Sequence, residues 1–176
     1  MYGEGGVEHL VSVKVFCGRL PVYKPWVEVF NASVADEKPG IPGFHGSKAE
    51  SWILDLAGEK LEGGESFFIE YYTDPDTLRD LERGVPVPAT RLGFELLKRG
   101  FTWFKVWYYP EGFSEGGQKI QAQKPVSPDR LKEHLEEIIR DLEGITGRKA
   151  KLLSQNTLER AMRAIQLARA LYEKAR

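Results

Sequence analysis

The sequence predicts an α/β fold: a mostly antiparallel sheet with flanking helices, closed by two further helices at the C-terminal end. Three observations lead there. Residues 9–16 and 26–30 alternate apolar and polar side chains, the period of half-buried strands. Ala89, Leu92, Gly93, Leu96 and Leu97 recur at helical spacing ahead of the aromatic run Phe101-Thr-Trp-Phe-Lys-Val-Trp-Tyr-Tyr109. Residues 127–176 carry two more apolar stripes at helical spacing.

Taken in order, His9–Phe16 and Trp26–Phe30 are expected strands, and Asn31–Lys48 reads as loop, punctuated by Pro39-Gly, Pro42-Gly and Gly46-Ser. Ser51–Ala57 is expected as a third strand, joined through a glycine-rich hairpin to a fourth, Ser66–Tyr72. Asp74-Pro75 then caps a short helix that runs to Arg83 and stops at Gly84. The helix of residues 89–98 ends with Lys98 and Arg99 at the negative end of its dipole, and Gly100 supplies a left-handed cap. The strand of residues 101–109 is expected to pair in a hairpin with Gly117–Gln123. Ser127-Pro128-Asp129 opens a helix with the stripe Leu131, Leu135, Ile138, Ile139 and Leu142, broken at Gly144–Gly147. Asn156 or Ser154 caps the last helix, with the stripe Leu158, Ala161, Met162, Ile165, Ala168 and Leu171. The expected organisation is an α/β domain over residues 1–126 with a helical pair, 127–176, packed on it.

At 176 residues the chain can bury roughly 70% of its unfolded surface and needs no staple. The single cysteine, Cys17, excludes an internal disulfide framework and fits a reducing compartment. The three histidines, His9, His45 and His134, are too far apart for a zinc spacing, so no metal is expected. Nothing approaches the roughly 18 apolar residues of a membrane span, and residues 1–6 lack a secretory signal, so a cytoplasmic location is expected. The formal net charge of -1 gives no overall pull toward nucleic acid. Residues 148–176, however, hold eight basic side chains against two acidic ones. That face either packs on an acidic neighbour or binds RNA.

Chemistry is sought first at Arg83–Arg91, which reads Arg-Gly-Val-Pro-Val-Pro-Ala-Thr-Arg. Val87 has no side-chain acceptor for a helix N-terminus, which leaves the amides of Ala89, Thr90 and Arg91 open to a phosphate, to water or to an acid such as Asp80 or Glu82. Arg83 and Arg91 would add charge-assisted contacts. The aromatic residues Trp103, Phe104, Trp107, Tyr108, Tyr109 and Phe113 form core if buried; if exposed they stack a base or make a homodimer interface. Gly112–Gly117 is a substrate lip or a hairpin turn, and His45 is the histidine to examine for catalysis.

The order strand, Arg-led loop, helix, strand and hairpin over residues 67–123 resembles the second half of the GNAT acyltransferase superfamily. There an Arg/Gln-x-x-Gly-x-Gly/Ala loop holds the pyrophosphate of acetyl-coenzyme A. Aligned on Arg83, the two glycine positions fall on Pro86 and Pro88, which have no N–H to give. Gly84, Val85, Val87 and Ala89 keep theirs. The runs Arg91–Lys105, Tyr109–Gly112 and Glu115–Lys119 resemble more closely an uncharacterised family, domain of unknown function 1122, which is grouped with the GNAT-like folds.

The resemblance implies a mixed sheet with a splayed central pair and an acyl-coenzyme A-dependent N-acyltransferase. The cofactor residues would be Arg83, Gly84, Val85, Val87, Ala89, Thr90 and Arg91, with Glu70 as base and Tyr109 as acid. Glu70 equally suits a cross-strand pair with Lys105. The alternative is a non-catalytic binding module for RNA or a protein partner, which keeps the fold without cofactor turnover.

Overall fold

The computed structural model describes residues 7–16, 18, 19, 22, 23, 27–36, 46, 48–70, 74–108, 119–148 and 150–175. Cys17, His45, Tyr72, Tyr109, Phe113 and the segment Gly112–Gly117 lie outside the described residues, as does the side chain of Glu70.

Strands β1 (Val7–Phe16), β4 (Val27–Asp36), β5 (Ser66–Glu70), β6 (Trp103–Trp107) and β7 (Lys119–Gln123) form one sheet in the order β4-β1-β5-β7-β6. Every ladder among them is antiparallel. The short strands β2 (Gly18–Arg19) and β3 (Val22–Tyr23) pair with each other. The helices are α1 (Lys48–Lys60), α2 (Pro75–Glu82), α3 (Arg91–Lys98), α4 (Pro128–Gly147) and α5 (Gln155–Lys174). The α/β class, the antiparallel sheet and the two C-terminal helices are as the sequence predicts.

Four local expectations are corrected. Residues 51–57 are helix, within α1, because the buried positions Glu50, Ile53, Leu54, Ala57 and Leu61 follow the helical period. A short apolar run satisfies either pattern, and only the flanking Glu50 and Leu61 decide it. Residues 31–36 continue β4. Helix α4 runs through Gly144 to Gly147. In α5 the cap is Ser154, one of the two expected candidates, which accepts from the Thr157 N–H; the corrected point is the stripe, in which Thr157 and Ala164 are buried and Met162 is exposed.

The central strands present two unlike faces. Phe67 and Ile69 lie beside Ala122 and Ile120, which lie beside Phe104 and Val106. This row meets Ile53, Leu54 and Ala57 of α1 and Leu92 and Leu96 of α3 in one apolar core. The opposite face is polar: Gln121 and Gln123 both donate to the Ser66 hydroxyl, and the Trp107 indole donates to Gln121. Alternation therefore divides the aromatic residues, with Phe104 turned to the core and Trp103 and Trp107 to the other side.

Helix α3 serves two cores. Leu92 and Leu96 face the sheet, while Leu97, with Ala89 and Val85, joins Leu135, Ile138 and Leu142 of α4 and Ala161, Ala164 and Ala168 of α5. The alanine face of α5 lets that helix pack closely, because a small side chain keeps the axes near each other.

Candidate functional site

The stretch from Arg83 to Arg91 connects α2 to α3 and borders two separate cavities. Its backbone is largely satisfied from within. Arg83 closes α2, and Gly84 follows at φ 81, the left-handed region expected of a helix-ending glycine, as is Gly100 at φ 95. The Gly84 N–H donates to the Leu81 carbonyl and the Val85 N–H to that of Asp80. Val87–Ala89 is a 3-10 turn in which the Ala89 N–H donates to Pro86 and the Thr90 N–H to Val87.

Here the expectation of an uncapped helix is corrected. Helix α3 starts at Arg91, and Thr90 is its cap: the hydroxyl accepts from the Gly93 N–H at 3.0 Å and donates to the Val87 carbonyl at 2.7 Å. The Leu92 N–H donates to the Thr77 hydroxyl. The α3 amides Leu92 and Gly93, and the turn amides Ala89 and Thr90, all have partners in the chain. Gly93 is required by this packing, since a Cβ there would sit 1.7 Å from the Val87 carbonyl oxygen.

Arg91 is held from both sides. Its guanidinium makes a bidentate pair with Glu50 (2.8 and 3.0 Å) and contacts Asp74 at 2.9 and 2.7 Å. Glu50 also accepts from the Gly46 N–H, and Asp74 accepts from the Thr77 N–H and hydroxyl. Burial works against the charge on Asp74, but the Arg91 and Thr77 hydrogen bonds outweigh it and hold the carboxyl below its usual range. The guanidinium is likewise opposed by burial and, through Glu50 and Asp74, fixed more firmly in its charged form. Arg83, by contrast, is exposed and makes no ion pair among the described residues.

The first cavity, about 310 Å³, is lined by Arg83, Gly84, Val85, Ile145, Leu152 and Leu153. The second, about 180 Å³, lies between Pro86–Pro88, residues Thr102–Phe104 and one side of α4. From α4 it receives His134, Glu137, Ile138 and Asp141, which recur at helical spacing. The Thr102 hydroxyl and His134 Nδ1 share a hydrogen bond of 2.9 Å. Burial, with Arg130 nearby, pushes the His134 imidazole below its ordinary range, which favours the neutral ring.

His134 and its acidic neighbours are the site residues that sequence reasoning missed. The 134-137-138-141 spacing was legible, but only the placement of α4 against the Thr102 end of β6 gives it a cavity. Among the described residues no three His, Cys, Asp or Glu are placed to hold a metal ion.

The remaining predicted residues separate. Glu70 ends β5 opposite Lys119, and Lys105 pairs with Gln121. Strand β7 thus lies between β5 and β6, and the expected pairing of Glu70 with Lys105 is corrected: the hairpin strand inserts between the two it was thought to follow. Arg160, on the basic face expected either to pack on an acidic neighbour or to bind RNA, donates to Asp80 at 3.4 Å and to the Ala89 carbonyl at 3.2 Å. No described helix is long and apolar enough to cross a membrane.

Comparison with known proteins agrees on one point. Residues 2–148 match the family described as protein of unknown function DUF1122. The chain belongs to the DUF1122 family. No curated protein matches it. A solved structure that it resembles is the crystal structure of a protein of unknown function, AQ1966, from Aquifex aeolicus VF5. The two are 35% identical with a TM-score of 0.66, over 88% of this chain and 73% of that one. Helix α5 lies beyond the stretch that defines this DUF1122 match.

Proposed function

We propose that the chain is a binding module that takes a basic side chain of a protein partner in the groove between the proline turn and α4. One observation carries this reading: the groove wall combines Pro86, Pro88 and Phe104 with Glu137 and Asp141, and among the described residues no lysine or arginine lines it. An ammonium or guanidinium tip gains there from carboxylates and from an aromatic face together. At about 180 Å³ the groove falls below the roughly 300 Å³ at which small-molecule sites begin, and so suits one side chain better than a coenzyme. Protein is favoured over RNA because Arg160 is turned inward and Arg169 pairs with Glu143.

The test is calorimetric titration with a lysine- and arginine-containing decapeptide and, separately, with single-stranded RNA of similar length. Peptide binding that weakens at least tenfold in the Glu137→Gln, Asp141→Asn double variant is expected. Equal peptide binding by that variant, or RNA binding with a steep salt dependence and no peptide binding, overturns the reading.

A second reading, acyl-coenzyme A-dependent N-acyl transfer on a GNAT-like scaffold, is favoured by α1. With residues 51–57 helical, a strand (β4), a glycine-rich sequence (Pro39-Gly-Ile-Pro-Gly-Phe-His-Gly46), a helix (α1) and a strand (β5) follow one another ahead of the 83–91 turn. In this reading Glu70 and Tyr109 remain the candidate base and acid. Of the cofactor set Arg83, Gly84, Val85, Val87, Ala89, Thr90 and Arg91, Arg83 remains the cation without an ion pair among the described residues. Acetyl-coenzyme A at 100 times its dissociation constant would stabilise the fold by about 2.7 kcal/mol. No rise in melting temperature at millimolar cofactor removes this reading.

A further inference from the structure

We infer that the larger cavity is a binding site for a medium-chain carboxylate, independent of the groove assigned to a protein partner. Its walls are Val85 and Ile145, both buried, with Leu153 half-buried and Leu152 at the rim, 73% exposed. Such walls reward burial of methylene groups and offer no hydrogen bonds to a sugar or a base.

Among the described residues the single charged one lining the cavity is Arg83, and it has no ion-pair partner there. The sequence between the lining residues Ile145 and Leu152 is Thr-Gly-Arg-Lys-Ala-Lys, with three basic residues and no acid. A ligand with one anionic end and an apolar body answers both features. The anion pairs with Arg83, whose planar fork matches a carboxylate. The chain then lies along Val85, Ile145 and Leu153.

Volume sets the length. About 310 Å³ holds roughly ten atoms at the ~30 Å³ that each water occupies in the liquid. Octanoate, with eight carbons and two oxygens, fills that space. Apart from its two chain neighbours, no described residue lies within 4 Å of where a Cβ would stand on Gly84, so this stretch of the wall is open.

The test is a calorimetric series of straight-chain carboxylates, from butanoate to dodecanoate, against the full-length chain. Affinity is expected to rise about fourfold per methylene up to roughly eight carbons and then level off. Arg83→Gln should weaken octanoate at least tenfold and leave octanol unchanged, while Ile145→Trp, which fills the cavity, should abolish both. Far-ultraviolet circular dichroism and the melting temperature confirm that each variant is folded. If Ile145→Trp does not fold, Leu153→Phe serves in its place. Affinity that ignores chain length, an equal loss of octanol in Arg83→Gln, or no binding of octanoate at millimolar concentration overturns the inference. So does a dimer that is dissociated by Leu152→Ser and binds octanoate only then, because the rim would then belong to a second copy.

Discussion

On one side of the proline turn Arg91 lies between Glu50 and Asp74; on the other, Arg160 reaches Asp80 and the Ala89 carbonyl. Both arginines are mostly buried, with side chains 20% and 18% exposed, and both meet carboxylates that are nearly inaccessible. The first contact is bidentate and short and ties α1, α2 and α3 together. The second is long, 3.4 Å, and Asp80 is held chiefly by the Thr157 hydroxyl at 3.0 Å from both of its oxygens.

The consequence for charge is opposite in the two places. Asp74 is held below its usual range by Arg91 and Thr77. Burial pushes Asp80 above its own, and Thr157 and Arg160 only partly offset it. Helices α1, α2 and α3 are therefore joined by short ionic contacts at Arg91, while α5 meets α2 through the Thr157 hydroxyl and a longer ion pair, beside an alanine face. The same formal charge pattern yields a firm joint in one region and a weaker one in the other.

The comparison breaks most visibly if Arg91 is removed. Arg91→Ala leaves two buried carboxylates without their cation and is expected to destabilise the fold by about 3–5 kcal/mol, measured by urea unfolding. Arg91→Lys should recover only part of this, because a point charge cannot reproduce the fork on Glu50. Arg160→Ala, at the weaker joint, should cost about 1 kcal/mol, and a cost equal to that of Arg91→Ala would erase the distinction.

Next in size is Gly93→Ala. The added methyl meets the Val87 carbonyl and forces α3 away from the turn, at about 1–3 kcal/mol or more. Wild-type stability in this variant would mean that the turn gives way freely and does not hold α3. Thr157→Val follows, at about 1–3 kcal/mol, since Asp80 loses its main donor while it stays buried. Hydrogen exchange should show α5 opening more than α1 in that variant, and uniform loosening would contradict the separate-joint picture.

The smallest effect is in pH, and its sign differs between the joints. The depressed Asp74 contributes stability that is present above its unfolded value of about 3.9 and lost as pH falls through its lower folded value. Asp80 is raised, so its contribution is present below about 3.9 and lost as pH rises through the folded value. Asp80→Asn mimics the protonated form. It should be at least as stable as the parent chain at pH 7, with that difference shrinking as pH falls through the folded value and gone below about 3.9. A variant clearly less stable at pH 7 would show that the Arg160 pair outweighs the burial of Asp80.

Much of this was legible in the chain. Asp74-Pro75, Ser127-Pro128 and Gly100 announced helix ends because caps depend on a few neighbouring atoms. The run from residue 51 to 57 reads as strand but folds as helix, because seven residues cannot distinguish a buried helix from a strand without their flanks. The sequence reading places its candidate cofactor residues between Arg83 and Arg91. Their amides read as open in the sequence because Thr90 falls one residue inside the expected helix, whereas in the fold it is the helix cap.

The sequence by itself determined the elements whose signals are local: the capped helices α2 and α4, the alternation of β1 and β5, and the punctuation at Gly84 and Gly100. It also determined membership of the DUF1122 family, since 147 of its residues, 2–148, match directly. Tertiary structure alone decided that β7 enters between β5 and β6, that Arg91 and Arg160 turn inward, and that His134 meets Thr102 across 32 residues of chain. These depend on which surfaces meet. Burial and charge pairing act through space, and the spacing of residues along the chain does not fix them.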